Sequence, residues 1–263
     1  MDPLAWLTTT LLEVVYPEQC ILCGSGRSEK AWVPVGSRVA GLRFWDAAHL
    51  CRSCSRGLDA DPVSGRVGAG HTGCLEVVAA SRTHADLVKL VGGLKYNGIR
   101  GLAWPLAERL RRPLILANES LETVDALVPV PLNARRRRVR GFNQAEILAR
   151  LLGVASGLPV LTDVLERKRR TGQQAKIESP EKRRQNLADS FRARPPEAGK
   201  GGAGKVCRRI GLVDDLVTSG WTAVTAAAEL REAGWMVAWV LALGMAVGSN
   251  NSTSRIDTWE DGF

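Results

Sequence analysis

No stretch of this sequence approaches the ~20 consecutive apolar residues that a membrane-spanning helix needs, so no span is expected. A basic leader region is missing as well: Asp2 follows Met1 directly, which argues against a secretory signal and for a cytoplasmic protein. No G-x-x-x-x-G-K-[ST] occurs, which excludes the common phosphate-binding loop of nucleotide hydrolases. The pattern G-x-G-x-x-G occurs at Gly68–Gly73 and at Gly199–Gly204, but neither match lies between a strand and a helix, so both read as chance. Histidine is scarce, and His49 and His84 read as surface or packing residues. There is no internal repeat.

What is present is basic and otherwise ordinary. The chain has 263 residues, 45% hydrophobic and 24% charged, enough for a sizeable core. That length fits one large domain, or one domain with a small appended module. The net charge is +9, which favours anionic partners: nucleic acid, phosphate metabolites or an acidic membrane surface. The positive charge is bunched in Arg135–Arg138 with Arg140, in Arg167-Lys168-Arg169-Arg170, and in Lys182-Arg183-Arg184. Any one of these clusters could be a solvated face.

Periodicity divides the chain. Leu4, Leu7, Leu11 and Val15 recur at helical spacing and stop before Pro17, so residues 1–16 read as a short helix packed on its own protein. Its polar face is too poor in Lys and Arg for a membrane contact. Residues 17–75 hold two cysteine pairs and many glycines with little periodicity, as a small metal-stapled module would. From 76 to 247 strands and helices alternate. Strands are expected at Leu75–Ala80, Val124–Val130, Val160–Leu165, Arg209–Val213 and Met236–Leu243. Helices are expected at His84–Leu94, Leu102–Leu110, Phe142–Val154, Glu181–Ala188 and Ala223–Ala233. The alternation implies an α/β domain with a mainly parallel sheet. Residues 194–205, with Pro195-Pro196 and four glycines, read as a flexible loop, and 248–263 as a disordered tail.

One loop carries most of the functional argument. Ile210-Gly211-Leu212-Val213 is apolar and short, as a central parallel strand should be. Asp214-Asp215 follow, then Thr218-Ser219-Gly220-Trp221-Thr222 lead into an alanine-rich helix. Ligands of open α/β sheets bind outside the carboxyl ends of the strands. A helix N-terminus there attracts phosphate through its N–H groups and dipole. Hydroxyls of Thr218, Ser219 and Thr222 add donors, and Gly220 lets backbone approach closely. Asp214 and Asp215 suit ribose hydroxyls or a hard cation such as Mg²⁺. The order fits a sugar bearing a 5′-phosphate. The plain alternative is that the acids cap a strand and Thr222 caps a helix.

Cys20-x-x-Cys23 and Cys51-x-x-Cys54 supply four thiolates, the ligand set of a structural zinc ribbon, with an insertion around Trp32 to Trp45 between the pairs. Cys207 reads as a buried or incidental thiol.

The 214–222 loop resembles the phosphoribosyl pyrophosphate (PRPP) motif of type I phosphoribosyltransferases, and the wider chain resembles the ComF family, which pairs an N-terminal zinc ribbon with that domain. Leu94-Lys95-Tyr96-Asn97-Gly98 is similar to the family's L-K-Y-x-G. Pro129-Val130-Pro131-Leu132 and Arg137-Arg138-Val139-Arg140-Gly141-Phe142-Asn143-Gln144 resemble its P-V-P-L and R-x-x-R-G-F-N-Q. Thr171, Gln174, Arg183, Asn186 and Phe191 match its T-x-x-Q and R-x-x-N stretch.

The resemblance implies a parallel-sheet phosphoribosyltransferase-like domain behind a zinc-ribbon module. It implies PRPP bound by Asp214, Asp215, Thr218, Ser219, Gly220, Trp221 and Thr222, with Mg²⁺ on Asp214 and Asp215. Pyrophosphate would meet Arg137, Arg140 and Gly141, with Asn143 and Gln144 orienting the loop or touching ligand; Arg140 should face inward, Arg135 and Arg136 outward. A basic surface for nucleic acid is the competing reading of these arginines. The stretch Arg170 to Asn186 would be a lid. ComF relatives often carry a third C-x-x-C; here His71-Thr72-Gly73-Cys74 stands at that place, a remnant or an alternative ligand pair. The family further implies natural transformation, with single-stranded DNA and the DNA-uptake helicase machinery as partners, and Trp32, Trp45 and Trp104 as candidate stacking residues. Transfer to an acceptor and a non-catalytic PRPP sensor are the other readings; no catalytic base or nucleobase pocket is visible.

Overall fold

The computed structural model describes residues 20–25, 50–58, 62–68, 74–116, 121–168, 190–196 and 208–246. The segment with Leu4 to Val15, Trp32, Trp45, His49, His71, residues 171–186, Cys207 and the tail lie outside the described residues.

The centre of the fold is a sheet whose parallel strands are largely buried on both faces. They are β2 (Leu75–Arg82), β3 (Ala126–Pro129), β6 (Arg209–Val213) and β8 (Met236–Met245), and they pair in the order β2-β8-β6-β3, with β3 last. Successive side chains point to opposite faces, so each strand feeds two cores. Val78, Leu127, Val213, Trp239 and Leu241 enter one core; Val77, Val128, Leu212, Val240 and Ala242 enter the other. Gly211 is required where it stands, because an added Cβ would lie 2.2 Å from the Trp239 ring.

β1 (Val63–Val67) pairs antiparallel with β2, Val63 opposite Ala79 and Val67 opposite Leu75. The segment just before residue 75 therefore supplies an edge strand of the main sheet. The short strand β7 (Leu216–Val217) extends the β8 pairing beyond Asp214-Asp215, and the Asp214 N–H still donates to the Leu241 carbonyl.

Six helices complete the described fold: α1 (Arg52–Gly57), α2 (Ala85–Tyr96), α3 (Ala103–Leu116), α4 (Ala134–Arg140), α5 (Gln144–Ser156) and α6 (Trp221–Glu232). Leu87, Leu90 and Leu94 of α2, Leu106 and Leu110 of α3, and Leu148 and Leu152 of α5 fill the first core. Ala223, Ala226, Ala227 and Leu230 of α6 fill the second. A small hairpin, β4 (Leu165–Arg167) with β5 (Phe191–Ala193), contributes Leu165 and Phe191 to that second core.

Two expectations change. The arginine run after β3 is helical: Asn133 accepts from the Arg135 N–H, and Gly141 closes the turn at φ 76. The strand expected over Val160–Leu165 reduces to a single bridge between Val160 and Leu127, and regular pairing starts at Leu165. Thr162-Asp163 bend the chain between them, a turn chemistry that overrides the apolar pattern. No described helix is long and apolar enough to cross a membrane.

Candidate ligand site and candidate metal centre

Parallel pairing of β3 with β6 brings their carboxyl ends side by side, Pro129 opposite Val213, and the Val130 N–H donates to the Val213 carbonyl at 2.9 Å. The arginine helix α4 and the acid loop 214–222 thus leave neighbouring strands at the same edge of the sheet.

In the loop, Asp214 Oδ1 accepts from the Asp215 N–H at 2.8 Å. Asp215 is buried, and its Oδ1 accepts from Lys95 Nζ at 2.8 Å. Burial pushes the Asp214 carboxyl up to about 7, reinforced by the negative charge of Asp215 and opposed by the Asp215 N–H and the cations of Lys95 and Arg167. Thr218 and Ser219 are exposed, and Trp221 and Thr222 are half-buried. Gly220 is the residue before the first turn of α6, at φ 73, and no side chain caps that terminus. The first-turn N–H groups lack intrahelical acceptors. A Cβ on Gly220 would stand 2.7 Å from Val67 of β1. Only glycine satisfies both the backbone angle and this close approach.

On the β3 side, Arg135, Arg136, Arg137 and Arg138 are exposed, while Arg140 is half-buried. Arg140 donates to Gln144 Oε1 at 3.2 Å, and its guanidinium lies 4.7 Å from the centre of the Tyr96 ring. Arg137 sits 3.7 Å from Glu146, which also pairs with Arg150 at 2.9 Å. Asn143 is buried and donates to the Val130 carbonyl at 3.0 Å. It therefore braces the loop. Gln144 is fully buried, with Nε2 lacking a partner among the described residues. Phe142 packs against the first core under the Arg100 guanidinium, 4.9 Å from the ring centre.

Lys95, Tyr96 and Arg167 were given no role by sequence reasoning. Lys95 and Tyr96 stood inside the L-K-Y-x-G stretch, and Arg167 inside a basic run; only the folded chain puts them beside Asp214, Asp215 and Arg140.

A second constellation lies beside α2. The thiol sulfurs of Cys20, Cys23, Cys51 and Cys54 all fall within 4.8 Å of one another. A tetrahedral zinc with bonds of about 2.3 Å implies sulfurs ~3.8 Å apart; Cys23 and Cys51 are 3.8 Å apart. Two backbone N–H groups point at sulfurs, Cys51 to Cys20 and Cys54 to Cys51, each at 3.4 Å. At Cys20 burial opposes the thiolate, but such donors, from Cys23, Cys51 and Leu22, outweigh it. At Cys23 the hydroxyl and backbone of Ser25, with the neighbouring thiols, draw the pKa down to about 6. Burial and the adjacent thiols push Cys54 up. Cys74 is exposed and outside this group.

The four-thiol centre is joined to the domain. Lys89 of α2 donates to the Leu22 carbonyl at 3.2 Å, and Arg109 of α3 donates to the Ser55 carbonyl. Cys20, Leu50 and Leu58 belong to the first core. Gly93 of α2 allows Ile21 to pack close, since a Cβ there would meet it at 2.6 Å.

These features define a class: a mostly parallel α/β protein with an acid and small-residue loop at the carboxyl edge of its sheet and a cluster of four cysteines that could hold a metal ion. The chain is 32% identical over 178 residues, 67% of its length and 70% of the relative's, to the DNA utilization protein YhgH of Salmonella typhimurium. It is 29% identical over 201 residues to competence protein F of Haemophilus influenzae, covering 70% of this chain and 85% of that one. The chain belongs to this ComF-like family. No family model matches it. Among solved structures, it resembles an allosteric regulatory enzyme of purine biosynthesis with a TM-score of 0.34 and 23% identity over 54% of this chain, spanning only 26% of that enzyme chain. It resembles orotate phosphoribosyltransferase from Aeropyrum pernix with a TM-score of 0.30 and 12% identity, covering 62% and 78% of the two chains.

Proposed function

We propose that this protein binds PRPP with Mg²⁺ at the joined edge of β3 and β6, and works in DNA uptake in contact with single-stranded DNA. The observation that carries this reading is the adjacency of two unlike half-sites. One offers carboxylates and an uncapped helix N-terminus, fit for ribose hydroxyls and a 5′-phosphate. The other offers Arg137 and Arg140, fit for a diphosphate. Asp214 and Asp215 are hard oxygen donors suited to Mg²⁺, which would neutralise diphosphate charge when bound. Thr218, Ser219, Gly220, Trp221 and Thr222 would cradle the 5′-phosphate. Cys20, Cys23, Cys51 and Cys54 would hold zinc, as their sulfur spacing favours.

The DNA-handling part rests on the names of the relatives, which refer to DNA utilization and competence, and on the exposed arginines of α4. Isothermal titration with PRPP and Mg²⁺ tests the first part: saturable heat is expected, lost in Asp215→Asn. No heat from the unaltered protein would end the PRPP reading. A second reading, transfer of the phosphoribosyl group to an acceptor, draws on the same site and requires pyrophosphate release. Assay of pyrophosphate across a panel of nucleobases separates it from a protein that binds PRPP without turnover.

A further inference from the structure

Two consecutive residues at the end of α2 reach into the two different half-sites. Lys95 pairs with Asp215 at 2.8 Å, with both side chains largely shielded from solvent. Tyr96 lies beneath the Arg140 guanidinium at 4.7 Å. The helix that carries them is held at its middle: Leu87, Leu90 and Leu94 are buried in the first core, and Gly93 packs against Ile21. Lys95 is therefore set on a rigid element rather than swept there by a mobile chain.

We propose that Lys95 is a positioning residue for ligand binding, holding Asp215 in the orientation that receives the ribose, with Tyr96 fixing Arg140 for the diphosphate in the same way. This rests on the PRPP reading and deepens it. The ion pair engages Asp215 Oδ1; Oδ2 has no partner among the described residues, so it is the oxygen left to accept from a ribose hydroxyl. A carboxylate next to a second carboxylate would otherwise turn away from it. The ammonium of Lys95 holds it in place, and it adds positive charge beside a polyanionic ligand. Mg²⁺ alone should behave oppositely, because for a bare cation Lys95 is a competitor at the same carboxylate.

The test compares unaltered protein with Lys95→Met, Lys95→Arg, Asp215→Asn and the Lys95→Met/Asp215→Asn double variant by titration with PRPP and Mg²⁺, and with Mg²⁺ alone. Lys95→Met should weaken PRPP about ten- to a hundredfold, the usual cost of a lost charged hydrogen bond. Lys95→Arg should recover most of that loss. The double variant should be little weaker than Asp215→Asn, since one interaction cannot be lost twice. Mg²⁺ alone should bind Lys95→Met at least as well as the unaltered protein, an outcome that generalised structural damage would not give. Wild-type affinity for PRPP in Lys95→Met, or fully additive losses in the double variant, would overturn the assignment of Lys95 alone. Absence of PRPP binding by the unaltered protein would remove the underlying reading instead.

Discussion

Between pH about 4 and about 7, burial favours a proton on Asp214 that the unfolded chain has given up. Its carboxyl is pushed up to about 7, above an ordinary value of 3.8. Between those two values the native state binds more protons than the unfolded one, so stability falls as pH rises through that window. Each unit of such a shift corresponds to about 1.4 kcal/mol. Asp214→Asn keeps an oxygen for the Asp215 N–H and removes the titration. In the absence of Mg²⁺ its thermal midpoint should gain on the parent as pH climbs from about 4 to about 8, by an amount worth up to a few kcal/mol. Melting curves across that range check this, and parallel profiles for the two proteins would contradict it. PRPP binding by the same variant should weaken, because the lost carboxylate is one of the proposed ribose and Mg²⁺ ligands. At the same scale, Arg140 over Tyr96 predicts a graded series for inorganic pyrophosphate. Tyr96→Phe keeps the ring face and should bind almost normally. Tyr96→Ala loses a cation–π contact of about 0.5–1 kcal/mol and should bind a few times more weakly. Equal affinity of all three would show the stacking to be incidental.

At the scale of elements, the regular parts of the fold were legible because burial dictated them. β2, β6 and β8 lie where short apolar runs predict strands, since a parallel sheet covered on both faces leaves no polar alternation to confuse them. The stop of α5 was visible in Gly157, which takes φ 75. The acid loop was legible for a related reason: the strand, the carboxylates and the small-residue turn are contiguous in sequence. What was hidden depends on contacts distant in sequence. β1 falls within the stretch that reads as a metal-stapled module until β2 pairs with it, and the arginine run looks like loop because its helical character comes from Asn133 and Gly141 at its ends. Gly220 joins both kinds of information. Its place before α6 was readable, but its closeness to Val67 of β1 was not. Gly220→Ala should cost about 1–3 kcal/mol from the positive φ and the overlap together. It should also shift the α6 terminus enough to weaken PRPP. Denaturant unfolding with a ligand titration checks both, and a variant as stable as the parent would mean that β1 yields at little cost.

For the whole molecule, the arrangement of α2 sets an expectation that neither constellation gives alone. Lys89 and Gly93 tie α2 to the first cysteine knuckle, and Lys95 and Tyr96 tie its end to the ligand loops. Cys20, Leu50 and Leu58 share the first core with α3 and α5. A four-thiol centre that loses its metal leaves sulfurs whose mutual repulsion must be relieved by protonation or movement. The disturbance should then pass into the domain core rather than stay within a separate module. Chelation, or Cys54→Ser, is expected to lower the thermal midpoint of the single main transition and to weaken PRPP binding at the C-terminal end of α2. Zinc release followed by a colorimetric chelator during the melt checks the coupling. If metal leaves in a separate early step, with the main transition and PRPP affinity unchanged, the two constellations are independent. The net charge of +9 adds a last expectation, for DNA. Arg135, Arg136 and Arg138 are exposed on α4, whereas Arg140 is committed to Gln144 and Tyr96. Replacing the first three with Gln should flatten the salt dependence of single-stranded DNA binding by about two units of log–log slope, at ~0.7 per phosphate contact. PRPP affinity should change far less, because the arginine held against Tyr96 remains. An unaltered salt slope would place the DNA on another face, and an equal loss of both ligands would mean that one surface serves them both.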